Sequence, residues 1–331
     1  MKLEKYWYST SYRWLTVLLL PFSWLFRFVV AGRYFLFRCK LLPTHYFSVP
    51  VIVVGNITVG GTGKTPFVIW LADVLQKKGY RPGMVSRGVG GKKHTVPQWV
   101  NKHADPAWVG DEAVLLAQRT NCPMVVAVDR VLAVKELLKK TTCNVIIADD
   151  GLQHYRLGRH IEIAIVDAAR QFGNRCLLPA GPLREPISRL KRTDFLVMNG
   201  EATHAIHHAE RMELVGDTVV SVQHPQKILP LSHFHQQLVH AVAGTGHPER
   251  FFSFLRASHI KVIEHAVPDH HLFARDDIYF ADGLSVLMTE KDAVKCGKLA
   301  DERHWFLPVT AKVNGNLANK ICQQLEALCV C

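Results

Sequence analysis

Residues 49–65, Val-Pro-Val-Ile-Val-Val-Gly-Asn-Ile-Thr-Val-Gly-Gly-Thr-Gly-Lys-Thr, confine the chain to a small set of folds. A β-branched apolar run enters a glycine-rich turn that closes on Lys64 and Thr65. Phe67, Trp70, Leu71, Val74 and Leu75 follow at helical spacing, with Gly79 as the stop. A strand, a glycine loop and a helix in that order gather backbone N–H groups and a helix N-terminus around one point, which makes a phosphate site. Gly60, Gly61 and Gly63 permit loop conformations that a Cβ would penalise, and Thr62 lies between them. Lys64 is placed to reach the β- and γ-phosphates of a nucleotide, and the Thr65 hydroxyl to ligate Mg2+. The strict pattern has a glycine five residues before Gly63, where this chain has Thr58; Gly60 and Gly61 supply that flexibility.

Short apolar runs at 83–86, 123–128, 144–149, 161–167 and 194–198 alternate with helical stretches near 111–120 and 130–140. This alternation predicts an α/β fold, a P-loop NTPase-like parallel sheet with helices on both faces. Ligands of such sheets collect at the carboxyl ends of the strands. Val145-Ile146-Ile147-Ala148 ends in Asp149-Asp150, the acidic element that a phosphate-loop enzyme needs beside its metal, with Asp149 on the metal side and Asp150 acting through water. Gly110-Asp111-Glu112 opens a helix, where its acids serve either as N-terminal charges or, at the mouth of the sheet, as a base for an acceptor hydroxyl.

The first 47 residues differ from the rest. Seven Lys/Arg stand there against Glu4 alone, within a net charge of +12 for the chain, together with 14 of the 31 aromatic residues. Basic side chains and amphipathic rings together suit a lipid headgroup region. The charge-free run from Trp14 to Phe26 is 13 residues. As helix it measures roughly 20 Å, against about 30 Å of hydrocarbon. Extension to Phe37 takes in Arg27 and Arg33, and Pro21 already interrupts the run, so a helix lying in the interface is favoured over one that crosses. A cleaved export signal ending near Val29-Val30-Ala31 is disfavoured by Arg27 and by the nucleotide loop downstream. A buried N-terminal helix is the plain alternative.

At 331 residues and 48% apolar composition the chain has room for two units. Its eight cysteines form no Cys-x-x-Cys pair, which suggests neither a zinc ribbon nor a disulfide scaffold and fits a reducing compartment. The second half also reads as α/β, a smaller lobe with strands near 238–243, 261–264, 285–288 and 305–309 and helices near 248–258, 290–299 and 316–328. The expected division is a membrane-associated arm over 1–47, a nucleotide-binding domain over 48–210, a β-ribbon linker over 211–235 and a C-terminal lobe over 236–331. Thirteen of the 18 histidines follow residue 200, without a cysteine or carboxylate framework at ligand spacing, so most read as surface residues.

Several motifs in one order resemble the tetraacyldisaccharide 4'-kinase family. They are 55–66 around the glycine loop, Ser86-Arg87-Gly88, Gly110-Asp111-Glu112, Asp129-Arg130, Asp149-Asp150-Gly151-Leu152-Gln153-His154 and Leu178 to Pro186. Further on come Ala243-Gly244, Pro248 to Phe252, Asp269-His270-His271 and Thr289-Glu290-Lys291-Asp292-Ala293-Val294-Lys295. The resemblance implies transfer of the ATP γ-phosphate to the 4'-hydroxyl of an acylated glucosamine disaccharide 1-phosphate, with Mg2+, at the cytoplasmic face of the inner membrane, giving lipid IVA. It implies inner-membrane lipids as partners and two α/β lobes joined by a ribbon. By position it makes Lys64, Asp111 and His270 catalytic, with Asp111 the base and His270 its partner. It places Arg130, Gln153 and Arg184 with the glycine loop around the nucleotide, and Glu112 with Thr65, Asp149 and Asp150 around the metal. Val89 stands where the family usually has tyrosine.

The competing class is a membrane-associated ATPase switch of the partitioning type, but that group carries a lysine just before the glycines, where this chain has Val59. A GTP-dependent switch would need Asn/Thr-Lys-x-Asp, and Thr289-Glu290-Lys291-Asp292 lacks that spacing. No nucleic-acid-binding motif accompanies the basic charge, so no nucleic-acid partner is expected.

Overall fold

The computed structural model describes residues 4–8, 14–201, 206 and 208–329. Strand Val51–Gly55, buried at every position, lies at the heart of a nine-stranded sheet. It pairs in parallel with Val145–Asp149 on one side and Ile161–Asp167 on the other. Outward from these lie Pro82–Ser86, Met124–Val126 and Gln98–Val100 on the first side, and Phe195–Asn199, Ala209–Val215 and Thr310–Val313 on the second. Only the two edge strands, 98–100 and 310–313, run antiparallel. The register sets Val54 opposite Asp149, so the glycine loop and the two acids leave the sheet at the same edge.

Period-2 side chains divide between two cores. Ile52, Val54, Ile147 and Ile163 meet helices Lys64–Lys77, Asp111–Thr120 and Leu317–Cys329 on one face. Val51, Val53, Ile146 and Ala148 meet Val131, Val134 and Leu137 of helix Arg130–Lys140 on the other. Parallel strands covered on both faces are continuous apolar runs, which is why their sequence shows no polar alternation.

The smaller lobe is a six-stranded sheet in the order Ile228–Pro230, Thr218–Ser221, His304–Leu307, Val286–Thr289, Leu238–Ala243, Lys261–Ala266. The chain passes between the lobes twice, side by side. Residues 209–221 run outward and 304–313 return, pairing as Val215 with Thr310 and Ser221 with Trp305. The ribbon expected over 211–235 is therefore paired in part with the far end of the chain. The expected lobe boundary at 236–331 needs correction for the same reason: strand 310–313 and helix 317–329 belong to the first lobe. A pairing separated by about a hundred residues leaves no local trace in the sequence.

The N-terminal helix is longer than its charge-free run. It spans Trp14–Arg38, 25 residues, passing Arg27 and Arg33 and carrying Pro21 inside. At 1.5 Å per residue this is about 37 Å, and the helix is long and apolar enough to cross a membrane. Trp14, Leu18, Trp24, Leu25, Phe28 and Val29 are nevertheless exposed along it. Its inner face is tied to the protein: Ser23 Oγ donates to the Leu177 carbonyl at 2.7 Å, and Phe26 packs beside Phe172, Leu177 and Leu183. Ahead of it, the Trp7 indole donates to the Pro179 carbonyl at 3.0 Å.

Leu325 and Ile321 are fully buried, and Leu325→Ala or Ile321→Ala should each cost about 2–5 kcal/mol of first-lobe stability. Urea unfolding followed with and without nucleotide checks this. Unchanged midpoints would place the last helix outside the core.

Candidate active site

The turn after strand 51–55 is shaped by two buried asparagines. Asn56 Nδ2 donates to the Thr58 carbonyl at 2.9 Å, and its Oδ1 accepts from Lys64 Nζ at 3.3 Å. Asn199, from a strand two removed in the sheet, donates to the Thr62 carbonyl at 3.0 Å. Gly63 adopts φ +87°, and a Cβ there would stand 2.2 Å from Asn199 Nδ2, so only glycine fits. Helix 64–77 starts with no side-chain cap. Its first-turn N–H groups are left for an anion. The Thr62 hydroxyl is buried without a partner.

Beside this loop the two expected acids are treated differently. Asp150 Oδ1 lies 3.6 Å from Lys64, and both its oxygens accept from Arg184 at 3.0 and 3.1 Å. Burial works to raise its pKa, but Lys64 and Arg184 outweigh it and hold the carboxyl far below the usual range. Asp149 is 2% exposed, and its Oδ1 has no hydrogen-bond partner. Burial, with the charges of Glu112 and Asp150 adding to it, pushes Asp149 up to about 7. An orphaned, buried carboxylate oxygen with the Glu112 and Asp150 charges close by suits a small, oxygen-seeking divalent cation.

The other expected contacts are all near. Arg130, buried to 5% exposure, donates to the Asp150 carbonyl at 3.1 Å. Burial lowers its pKa to about 10, with the Asp150 charge opposing. Gln153 Nε2 donates to the Asn56 carbonyl at 3.0 Å and to Glu185 Oε2 at 2.8 Å. Glu112 faces the cleft but accepts from Lys291 at 2.9 Å, so a residue of the second lobe engages it.

Asp111 and His270, from different lobes, meet as anticipated. Asp111 is 2% exposed at the start of its helix. His270 Nδ1 stands 3.0 and 3.1 Å from its two oxygens. An ionised carboxylate offers no proton, so the ring nitrogen donates. Burial pushes the Asp111 pKa up, and the His270 hydrogen bond with the Lys291 and Lys295 charges brings it below its ordinary value. The hydrogen bond to Asp111 raises the His270 pKa against its burial. Gly90, at φ +85°, lets backbone approach the pair: a Cβ would lie 2.7 Å from His270 Nδ1. Val89, in the position expected to hold tyrosine, is on the cleft wall.

One cleft of about 1450 Å³ joins these parts. Its walls include the glycine loop, Glu112, Arg130, Asp150, Gln153, Arg184 and His270, and also Phe26, Val29, Val30 and Arg33 of the N-terminal helix. Residues 244–247 of the second lobe close over the loop, with Arg170 Nη1 donating to the Gly246 carbonyl at 2.9 Å. Sequence reasoning did not single out Asn56, Asn199, Gly90 or Lys295. Asn56 and Lys295 sit inside the loop motif and the Thr289–Lys295 motif and were within reach of them; Asn199 and Gly90 are brought in by the fold. Among the described residues no His/Cys/Asp/Glu group has the arrangement of a closed metal cage; of the histidines read as surface residues, His240 and His304 are buried.

Comparison with known proteins covers nearly the whole chain. The family model for "Tetraacyldisaccharide-1-P 4'-kinase" matches residues 15–326. The tetraacyldisaccharide 4'-kinase of Nitrosococcus oceani is 47% identical over 97% of this chain and 94% of its own length. That of Methylobacillus flagellatus is 49% identical over 98% and 96%. Among solved structures, LpxK of Aquifex aeolicus in complex with ATP superposes with a TM-score of 0.79 at 30% identity, covering 94% of this chain and 99% of that one.

The Asp111–His270 pair gives a pH signature. The raised His270 pKa contributes stability that is full below its unfolded value and fades as pH rises through the folded one. The lowered Asp111 pKa contributes stability present above its unfolded value and lost as pH falls through the folded one. The thermal-midpoint gap between wild type and His270→Gln should thus be widest between about pH 4 and 6.5, and narrow above. A gap that grows toward alkaline pH would contradict the pairing.

Proposed function

The chain belongs to the tetraacyldisaccharide 4'-kinase family and is an ATP-dependent kinase that forms lipid IVA, and we propose the following division of work among its residues. The acceptor is an acylated glucosamine disaccharide 1-phosphate whose fatty chains stay in the inner leaflet. Backbone N–H groups of Gly60, Gly61, Thr62 and Gly63 hold the triphosphate, and Lys64 neutralises its β- and γ-phosphates. Thr65 and Asp149 hold Mg2+, with Asp150 and Glu112 around them. When bound, the cation supplies charge neutralisation on the phosphate oxygens. The orphaned, buried Asp149 oxygen supports this assignment.

Asp111 takes the proton of the 4'-hydroxyl as that oxygen forms its bond to the γ-phosphorus and the bond to the β–γ bridging oxygen breaks, leaving ADP. His270 orients the Asp111 carboxylate and stabilises the negative charge it carries before transfer. Asp150, fixed by Arg184, keeps Lys64 aimed at the phosphates, while Arg130 and Gln153 set the loop that follows the acidic strand. The observation that carries the lipid part is that helix 14–38 presents exposed apolar side chains outward and Phe26, Val29, Val30 and Arg33 to the same cleft as the phosphate loop. An interfacial helix on the cytoplasmic face would deliver a headgroup to that cleft without extracting its tails. Arg27 and Arg33 favour this over a crossing helix.

Label from γ-labelled ATP should appear on the acylated disaccharide in mixed micelles. Asp111→Ala should lower kcat about 10²–10⁴-fold with ATP binding retained. Hydrolysis without lipid labelling, or normal turnover in the variant, would overturn the assignment. Replacing the exposed Trp24 and Phe28 together by Glu should abolish co-sedimentation with anionic vesicles while leaving ATP binding intact; undiminished co-sedimentation would remove the helix as the anchor.

A further inference from the structure

Lys295 is a buried cation without an obvious task. Its side chain is 6% exposed, and its Nζ makes no aligned hydrogen bond among the described residues. It sits between two acids, 3.0 Å from Asp292 Oδ1 and 3.5 Å from Asp111 Oδ2, with the Phe273 ring 5.0 Å away. Asp292 is fully buried and already served by others. Its Oδ2 accepts from the Gly244 N–H at 2.8 Å and from the Thr289 hydroxyl at 2.6 Å. Asp292 thus fixes the ammonium group, and the remaining neighbour of opposite charge is Asp111, in the other lobe.

We propose that Lys295 is a positioning residue for phosphoryl transfer: anchored by Asp292, it fixes Asp111 Oδ2 from the second lobe while His270 fixes the carboxylate from another side. The proposal rests on Asp111 being the base. Every anchor of Lys295 is in the second lobe, so the base is oriented only when the lobes meet. Glu112 and Lys291 also border Asp111, but Lys291 is committed to Glu112 at 2.9 Å and Asp269 at 2.8 Å.

The competing role is that Lys295 only balances the buried charge of Asp292. Three variants separate the two: Lys295→Met, Lys295→Arg, and the double variant Lys295→Met/Asp292→Asn, which removes both charges and spares the fold an unpaired acid. Turnover is measured per bound nucleotide, so that a partly folded sample does not count as a slow one. The expected result is a fall in kcat of about 10- to 100-fold in the double variant, with the KM for ATP within about twofold, and substantial recovery in Lys295→Arg. Lys295→Met should match the double variant in kcat wherever it folds. Wild-type kcat in the double variant would overturn the proposal, as would equal losses in kcat and ATP affinity. Failure of Asp111 as the base would show separately, as normal turnover in Asp111→Ala.

Discussion

A buried carboxylate with an unserved oxygen, Asp149, sets the terms for the rest of the molecule. An uncompensated charge in a dry interior is costly, and its neighbours Asp150 and Glu112 make that cost larger. The protein compensates the adjacent acid from within, with Lys64 and Arg184 on Asp150. For Asp149 it supplies no donor to Oδ1. The parallel sheet keeps both acids at the edge where the glycine loop emerges, with Lys64 and Arg130 the nearest cations to Asp149.

Around that edge the two lobes divide the chemistry. The first supplies the phosphate loop, the acids and Asp111; the second supplies His270, Lys291, Lys295 and the segment over the loop. The chain crosses between lobes through a hydrogen-bonded ribbon rather than a single flexible strand, which restricts their relative motion to one that twists or bends it. The N-terminal helix adds a third wall to the cleft, through Phe26, Val29, Val30 and Arg33.

Contiguous chemistry was legible in the sequence. The run 49–65 carries strand, loop and helix within one turn of chain, and Asp149-Asp150 ends a run too apolar to be anything but a buried strand. Asp111 and His270 were readable only through the family's motif order, since a helix-opening acid and a polar turn each have plain explanations. What stayed hidden depends on distant segments meeting. Asn199 reaches the loop from 137 residues away, Lys295 approaches Asp111 across the lobes, and strand 310–313 returns to the first sheet. Pro21, Arg27 and Arg33 counted against a helix that crosses the bilayer, and the helix that forms runs through all three, supported on one face by loop 172–183.

The central claim is that Asp149 waits for a cation that the nucleotide brings. Calorimetry of Mg2+ binding to the ATP-saturated protein, in buffers of different ionisation enthalpy near pH 7, measures the protons released. With burial and the Glu112 and Asp150 charges raising the Asp149 pKa, the wild-type protein should release more protons per site than Asp149→Asn. Identical proton release in the two proteins would contradict the account.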